Sequence, residues 1–323
     1  SLITKVPLED EVKVKMMAGS YGFLRTNVAL AKVFDGWTLE LGADRTAIDG
    51  YREYSGARNF NLNSRISYKR NRSEWQLLAQ YTDSPLAEDA GGISLDDVIA
   101  DRRQARSQNI SFQAGETIKQ FTSGLKYKYT LKQNQTLEAK AYYIFRDFAN
   151  KLPFNAGGNV LFKRNYTGVN AQYKLENPNY RLLAGTETEK QLDARTRYNN
   201  ENGETGALVF DQDEHFGMLG LYLLQNFRLN ELLNVDLNAR VDLLNVEAED
   251  HFLTDGDQSG KIAWQHFSPS LGINYQVHPE NYIYAMAGHS FETPALSELS
   301  NSPDGAGGFN KNLNPQLANH HQC

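Results

Sequence analysis

The sequence predicts an all-β fold, a membrane-spanning antiparallel β-barrel with long outer loops and short inner turns. Three observations carry that expectation: segments in which apolar and polar residues alternate with period two, charges set well inside those segments, and connections that alternate between short and long. Side chains along a strand point to opposite faces in turn, so an alternating segment has one apolar and one polar face. In Val235 to Leu243 the odd positions read Val, Leu, Ala, Val, Leu, while Asp236, Asn238, Arg240 and Asp242 fill the even ones. Phe60 to Lys69 repeats the pattern, as do Val12 to Met16, Trp37 to Ala43, Leu125 to Tyr129 and Phe267 to Tyr275.

A soluble two-sheet sandwich also alternates, because its apolar faces meet in a core. The segments here outrun the usual strand of about five or six residues. Arg65, Lys126 and Arg240 sit inside them, as a wet lumen permits. Short connections fall near Phe34-Asp35-Gly36, Lys69 to Ser73, Lys132 to Gln135, Glu176 to Asn179, Asn230 to Leu233 and His278 to Asn281. Longer polar ones lie between them, at Arg45 to Ala57, Asp83 to Ser107, Pro153 to Asn159, Tyr198 to Asp213 and Asp250 to Gly260. Short inner turns and long outer loops are the rule for bacterial outer-membrane barrels. The spacing predicts about 13 strands, the odd ones running outward. Ser300 to Cys323, polar and rich in Gly, Asn and Pro, reads as one more outer loop.

Aromatic residues cluster beside the short turns: Phe34 and Trp37, Tyr68 and Trp75, Tyr173 and Tyr180, Phe227, Tyr275 and Tyr282. Rings with apolar bodies and polar tips suit a headgroup belt. The alternative is the general preference of strands for aromatics.

Composition agrees with a barrel. The 323 residues are 40% hydrophobic yet carry 17 Tyr, 16 Phe and 3 Trp, with a formal net charge of -6. No run of eighteen apolar residues exists, so a transmembrane helix is not expected. The acidic balance and the lack of a basic cluster argue against a nucleic-acid partner. Cys323 is the single cysteine, so no internal disulfide is expected. The chain opens at Ser1 with neither an initiator Met nor a signal peptide, and further sequence upstream is expected.

Ser290-Phe291-Glu292-Thr293-Pro294-Ala295-Leu296-Ser297-Glu298-Leu299 resembles the Phe-x-x-Pro-x-x-x-Glu-Leu box of TonB-dependent outer-membrane receptors. Asn314-Pro315-Gln316-Leu317 stands where that family has an Asn-Pro-x-Leu box. Gly19-Ser20-Tyr21-Gly22 with Arg25 resembles its first hairpin, and Ser1 to Pro7 the end of its plug domain. The resemblance implies a plugged barrel of about 22 strands. On that reading residues 1–10 end the plug and its linker, and 11–323 are the N-terminal part of the barrel. The implied cargo is an iron chelate, a ferric siderophore or ferric citrate. The implied partners are outer-membrane lipid and the TonB-ExbB-ExbD complex, engaged through the missing N-terminal part. Ala318 to Cys323 departs from the family, which continues with an acidic residue and a strand. Asp83 to Leu86, Gly91 to Asp97 and Asp101 to Arg106 resemble the third outer loop of receptors for ferric citrate and related chelates.

Ferric carboxylate chelates are anionic, and guanidinium groups grip carboxylates with paired hydrogen bonds. Arg102, Arg103 and Arg106 are therefore candidate ligand contacts, against the plainer reading of a solvated loop neutralised by Asp96, Asp97 and Asp101. Arg52 and Arg58, with Tyr51 and Tyr54, are second candidates in the preceding loop. Asp236, Asn238, Arg240 and Asp242 are expected to face the lumen. No catalytic, cofactor or metal motif stands out, and the ligand would bring its own iron. A passive porin, or a receptor fragment without activity of its own, is the alternative.

Overall fold

The computed structural model describes residues 7–299 and 309–322. Ser1 to Val6, assigned above to the plug, lie outside the described residues. Fourteen strands form one antiparallel sheet in strict sequence order. They are β1 (Glu11–Ala18), β2 (Leu24–Phe34), β3 (Trp37–Ile48), β4 (Ala57–Arg70), β5 (Ser73–Glu88), β6 (Gly115–Lys132) and β7 (Gln135–Lys151). The order continues with β8 (Asn159–Asn177), β9 (Tyr180–Glu201), β10 (Glu204–Arg228), β11 (Leu233–Asp250), β12 (Gly260–His278), β13 (Asn281–Glu292) and β14 (Gln316–Gln322). Three short helices, α1 (Leu95–Asp101), α2 (Ser107–Ser111) and α3 (Leu296–Leu299), lie in connections. Among the described residues β14 does not pair with β1, so the sheet is an open, partial barrel. Lipid offers no hydrogen bonds to unpaired edge amides, so both edges require partner strands in a membrane.

All six short turns stand where the sequence places them. Two loop expectations are corrected, and the strand count rises from about 13 to 14. Tyr198 to Asp213 is not a loop: β9 and β10 run through it and meet at a two-residue turn. Asn202 (φ 53°) and Gly203 (φ 95°) both take positive φ. That matches the type I′ turn that Asn-Gly favours, whose twist fits the flanking strands. Ser300 to Cys323 is not wholly a loop either, because Gln316–Gln322 pairs with β13 from Glu292 to Met286. The open edge of β13 supplies backbone partners that outweigh the polar composition of this segment.

Register turns the aromatic clusters into a girdle. Phe34 pairs with Trp37, Trp37 with Tyr68, Tyr68 with Trp75 and Trp75 with Tyr127, one cross-strand row on one face. Trp37 and Tyr68 rings lie 4.4 Å apart, Trp75 and Tyr127 rings 4.1 Å. Tyr180 packs on Phe227 further along the same edge. Tyr282 does not join them. It pairs with Gln276, which shares the polar face of β12 with Asn274.

The long strands overshoot the membrane. A tilted strand crosses it in about 9–11 residues, yet β9 has 22 and β10 has 25. The faces exchange chemistry at one level. On β12 Phe267, Pro269, Leu271 and Ile273 share the outer face, which continues upward as Gln265 and Lys261. On β11 the same outer face runs from Val235 to Leu243 and then becomes Asn245, Glu247 and Glu249. The opposite face inverts too, from Asp236, Asn238, Arg240 and Asp242 to buried Leu244, Val246 and Ala248. The register between β11 and β12 does not slip; each face keeps its side and changes its chemistry.

Candidate functional site

The second and third outer loops form one interlocked unit. Arg52 donates from Nε to Gln104 O (3.0 Å), from Nη1 to Gly91 O (2.6 Å), and from Nη2 to Ala90 O (3.1 Å) and Gln104 O (2.9 Å). Glu53 N donates to Arg103 O at 2.7 Å, closing the same seam. Arg103 lies over the rings of Tyr51 (5.7 Å) and Tyr21 (5.9 Å), which meet edge to face at 5.3 Å. Arg58 pairs with Asp49 at 2.6 Å and also donates to the Ile48 carbonyl. Tyr54 holds φ 53°, and burial, then the nearby Glu88 charge, raises its phenol above the ordinary value. The Arg106 side chain donates to Gln108 Oε1 at 2.7 Å. Arg102 caps α1 in the open and makes no hydrogen bond or ion pair among the described residues.

So the seven loop candidates are brought to one region but hold different occupations. Arg52 and Arg58 spend their donors on carbonyls and a neighbouring carboxylate, Arg103 stacks and donates to Tyr51 O, and Arg102 and Arg106 have no acidic partner among the described residues. Helix α1 is set by a capping box, in which the Ser94 hydroxyl accepts from Asp97 N and Asp97 accepts from Ser94 N. These bonds hold the Asp97 carboxyl below its ordinary pKa. Asn200, fully buried, donates to Phe112 O (2.8 Å) and Leu152 O (3.0 Å) and accepts from Gly203 N (2.8 Å). It ties the third loop, the fourth loop and the β9–β10 turn together.

Asp236, Asn238, Arg240 and Asp242 share one face of β11, opposite the lipid-type residues Leu237 and Leu243. Arg240 bonds Asp242 (2.6 Å) and Glu187 of β9 (2.5 Å); Asn226 donates to Asp236 and Asn238 to Ser270. Glycines make room for large polar groups on this wall. A Cβ on Gly168 or Gly185 would overlap the ring of Tyr142 or Tyr222. Tyr142 in turn donates to Glu189 at 2.5 Å.

Higher on the same wall the strands gather four guanidinium groups that the loop-centred reading of the sequence missed. Arg146 of β7 pairs across with Arg164 of β8, which pairs across with Asp193 of β9; Arg195 and Arg197 follow on β9. Asp193, 2% exposed, takes a two-point grip from Arg164 (2.8 and 2.6 Å). Arg195 holds Glu214 at 2.6 Å. Among the described residues the Arg146 side chain bonds only the amide oxygen of Gln120 (2.7 Å), and Arg197 lies over the Phe210 ring at 5.7 Å. Among the described residues, two of the four guanidinium groups, Arg164 and Arg195, have carboxylate partners. The sequence signal was faint: Arg146, Ile144 and Tyr142 share a face that is not uniformly polar. Among the described residues no group of three or more His, Cys, Asp or Glu is placed to hold a metal ion.

Residues 21–321 match the family described as TonB dependent receptor-like, beta-barrel. The structure is similar to the ferric citrate transporter FecA in its unliganded form (TM-score 0.74, 17% identity, 89% of this chain and 45% of that one). It is also similar to the siderophore receptor PiuA from Acinetobacter baumannii (0.75, 15%, 98% and 54%) and to the copper transporter OprC (0.75, 14%, 96% and 50%). The chain spans about half the length of these solved structures, and identities this low establish the fold alone. Cargo differs among the three, so the fold does not select it. The family match, with the lipid-type face and the aromatic girdle, locates the chain in the bacterial outer membrane: it belongs to the TonB-dependent receptors, as part of their β-barrel.

Proposed function

We propose that this chain is the N-terminal part of the barrel of a receptor that takes up an anionic iron chelate, a ferric siderophore or ferric citrate. Residues 1–10 would end the plug, and the TonB-ExbB-ExbD complex would supply the energy through the part of the receptor before them. The observation that carries the reading is that two of the four guanidinium groups gathered high on the β7–β9 wall lack a carboxylate partner among the described residues. Arg146 and Arg197 have no carboxylate partner among the described residues, so their donors can meet a carboxylate of the cargo. Arg164 and Arg195, already neutralised, shape the site and hold its charge. Arg102 and Arg106 at the loop rim are suited to first capture, and Arg52, Arg58, Arg103, Tyr51 and Tyr54 to shaping that rim. The task is binding and transport, with iron arriving already chelated; the protein supplies no catalytic group or cofactor.

The test uses the intact receptor and ferric citrate as the probe. Charge-assisted hydrogen bonds contribute about 1.5–3 kcal/mol each, so Arg146→Gln or Arg197→Gln should weaken binding roughly tenfold or more. Fluorescence titration measures this. Unchanged affinity in both variants, with the barrel folded, removes the wall site from the reading.

A further inference from the structure

Where the outer face turns from apolar to polar, a dent of about 570 Å³ lies around Gly217 of β10. Gly217 pairs with Lys190 of β9 and Asn245 of β11, and His215 and Leu219 flank it along its own strand. A Cβ at this glycine would overlap the Asn245 amide, which lies across the bare backbone and forms part of the dent's wall. The lower wall, Leu219 and Leu243, continues into exposed Leu221 and Phe267, which belong to the lipid-type face. The upper rim is charged. Glu247 is held by Lys261 at 2.9 Å, whereas Lys190 makes no hydrogen bond or ion pair among the described residues.

The level of the dent follows from strand geometry. Gly217 stands eleven residues from Arg228, the inner end of β10. At about 3.3 Å per residue and a tilt near 45°, that is roughly 25 Å, the height of the apolar band of an outer-membrane barrel. The dent therefore sits at the headgroup level of the outer leaflet. It lies in mid-sheet, with β9, β11 and β12 all present around it.

We propose that this dent is a binding site for an outer-leaflet lipid with a phosphorylated headgroup. An acyl chain lies along Leu219, Leu221 and Leu243, and the phosphate meets Lys190, with His215 beside it. The site is independent of the cargo reading. It is tested on the intact receptor, purified from outer membranes in non-ionic detergent, by native mass spectrometry of retained phosphorylated lipid. A lysine near an anionic surface contributes about 1 kcal/mol, so Lys190→Gln should cut occupancy about fivefold. Gly217→Leu, which drives the Asn245 amide into the dent, should do the same, and Lys32→Gln at the inner end of the same face should do nothing. Equal retention in wild type and Lys190→Gln overturns the proposal even where Gly217→Leu does not fold. Displacement by inorganic phosphate alone would assign the dent to a free anion and overturn the lipid.

Discussion

Replacing Arg52 with Ala removes four hydrogen bonds to three carbonyls, those of Ala90, Gly91 and Gln104, all in the third outer loop. Each bond from a charged donor contributes about 1.5–3 kcal/mol when buried, but the group is only part-buried and water can replace some of them. Taking somewhat under 1 kcal/mol per bond gives a loss of about 3 kcal/mol in the free energy of opening this loop. Opening should become on the order of 100-fold more frequent, at about 1.4 kcal/mol per factor of ten. Hydrogen exchange of peptides covering residues 89–114, in micelles, reads this directly, with β8 as the unaffected reference. Arg52→Lys should fall between, since one ammonium cannot span three carbonyls. Exchange at the wild-type rate in Arg52→Ala would refute the clasp. If that variant also lost ferric citrate while its loop stayed closed, Arg52 would be a direct ligand contact.

Gly185→Val should destabilise the barrel by about 1–3 kcal/mol, the usual cost of overpacking. The new Cβ stands 2.8 Å from Ala171 O and against the Tyr222 ring, and the thermal midpoint of heat-modifiable gel migration measures the effect. Asp193→Asn leaves Arg164 without its carboxylate on the wall, a loss of about 3 kcal/mol if the pair behaves as buried ones do; the same assay applies, and Arg164→Met in addition should recover much of it. The Asp97 carboxyl is held below its ordinary pKa by the capping bonds, so its contribution to α1 is present above the unfolded value and lost as pH falls through the folded one. Mobility of a spin label at position 99, followed by electron paramagnetic resonance, should therefore rise below about pH 4, and Asp97→Asn should abolish the dependence.

The membrane-facing part of the fold was legible because lipid imposes one rule on every strand. Val235 to Leu243 and Phe267 to Tyr275 spell out that rule residue by residue. Above the membrane the rule lapses. Neither face of Tyr198 to Asp213 must be apolar, so two strands there read as a loop, and only Asn202-Gly203 marked the turn. Tyr282 misled for a related reason: its ring suits either face, and register alone assigns it. The loop arginines were visible as charges but not as occupations. The carbonyls that Arg52 holds stand up to 52 residues away in sequence, and no local pattern announces such a bond.

On the proposed function, the overshoot of β9 and β10 also decides where recognition is sited. Loops alone would place the cationic groups on segments that open easily. Here Arg146, Arg164, Arg195 and Arg197 stand on paired strands, so their backbones are fixed by neighbours on both sides. The loops above are in turn fastened, by Arg52 on one side and Asn200 on the other. A cargo carboxylate bound there as proposed would meet donors already in place, and little ordering would oppose binding. Above the bilayer the strands need not present an apolar outer face, and their inner face is free to pack or to bind. The inversion seen at Leu244 and the guanidinium patch on β7–β9 follow from the same extension of the sheet into water.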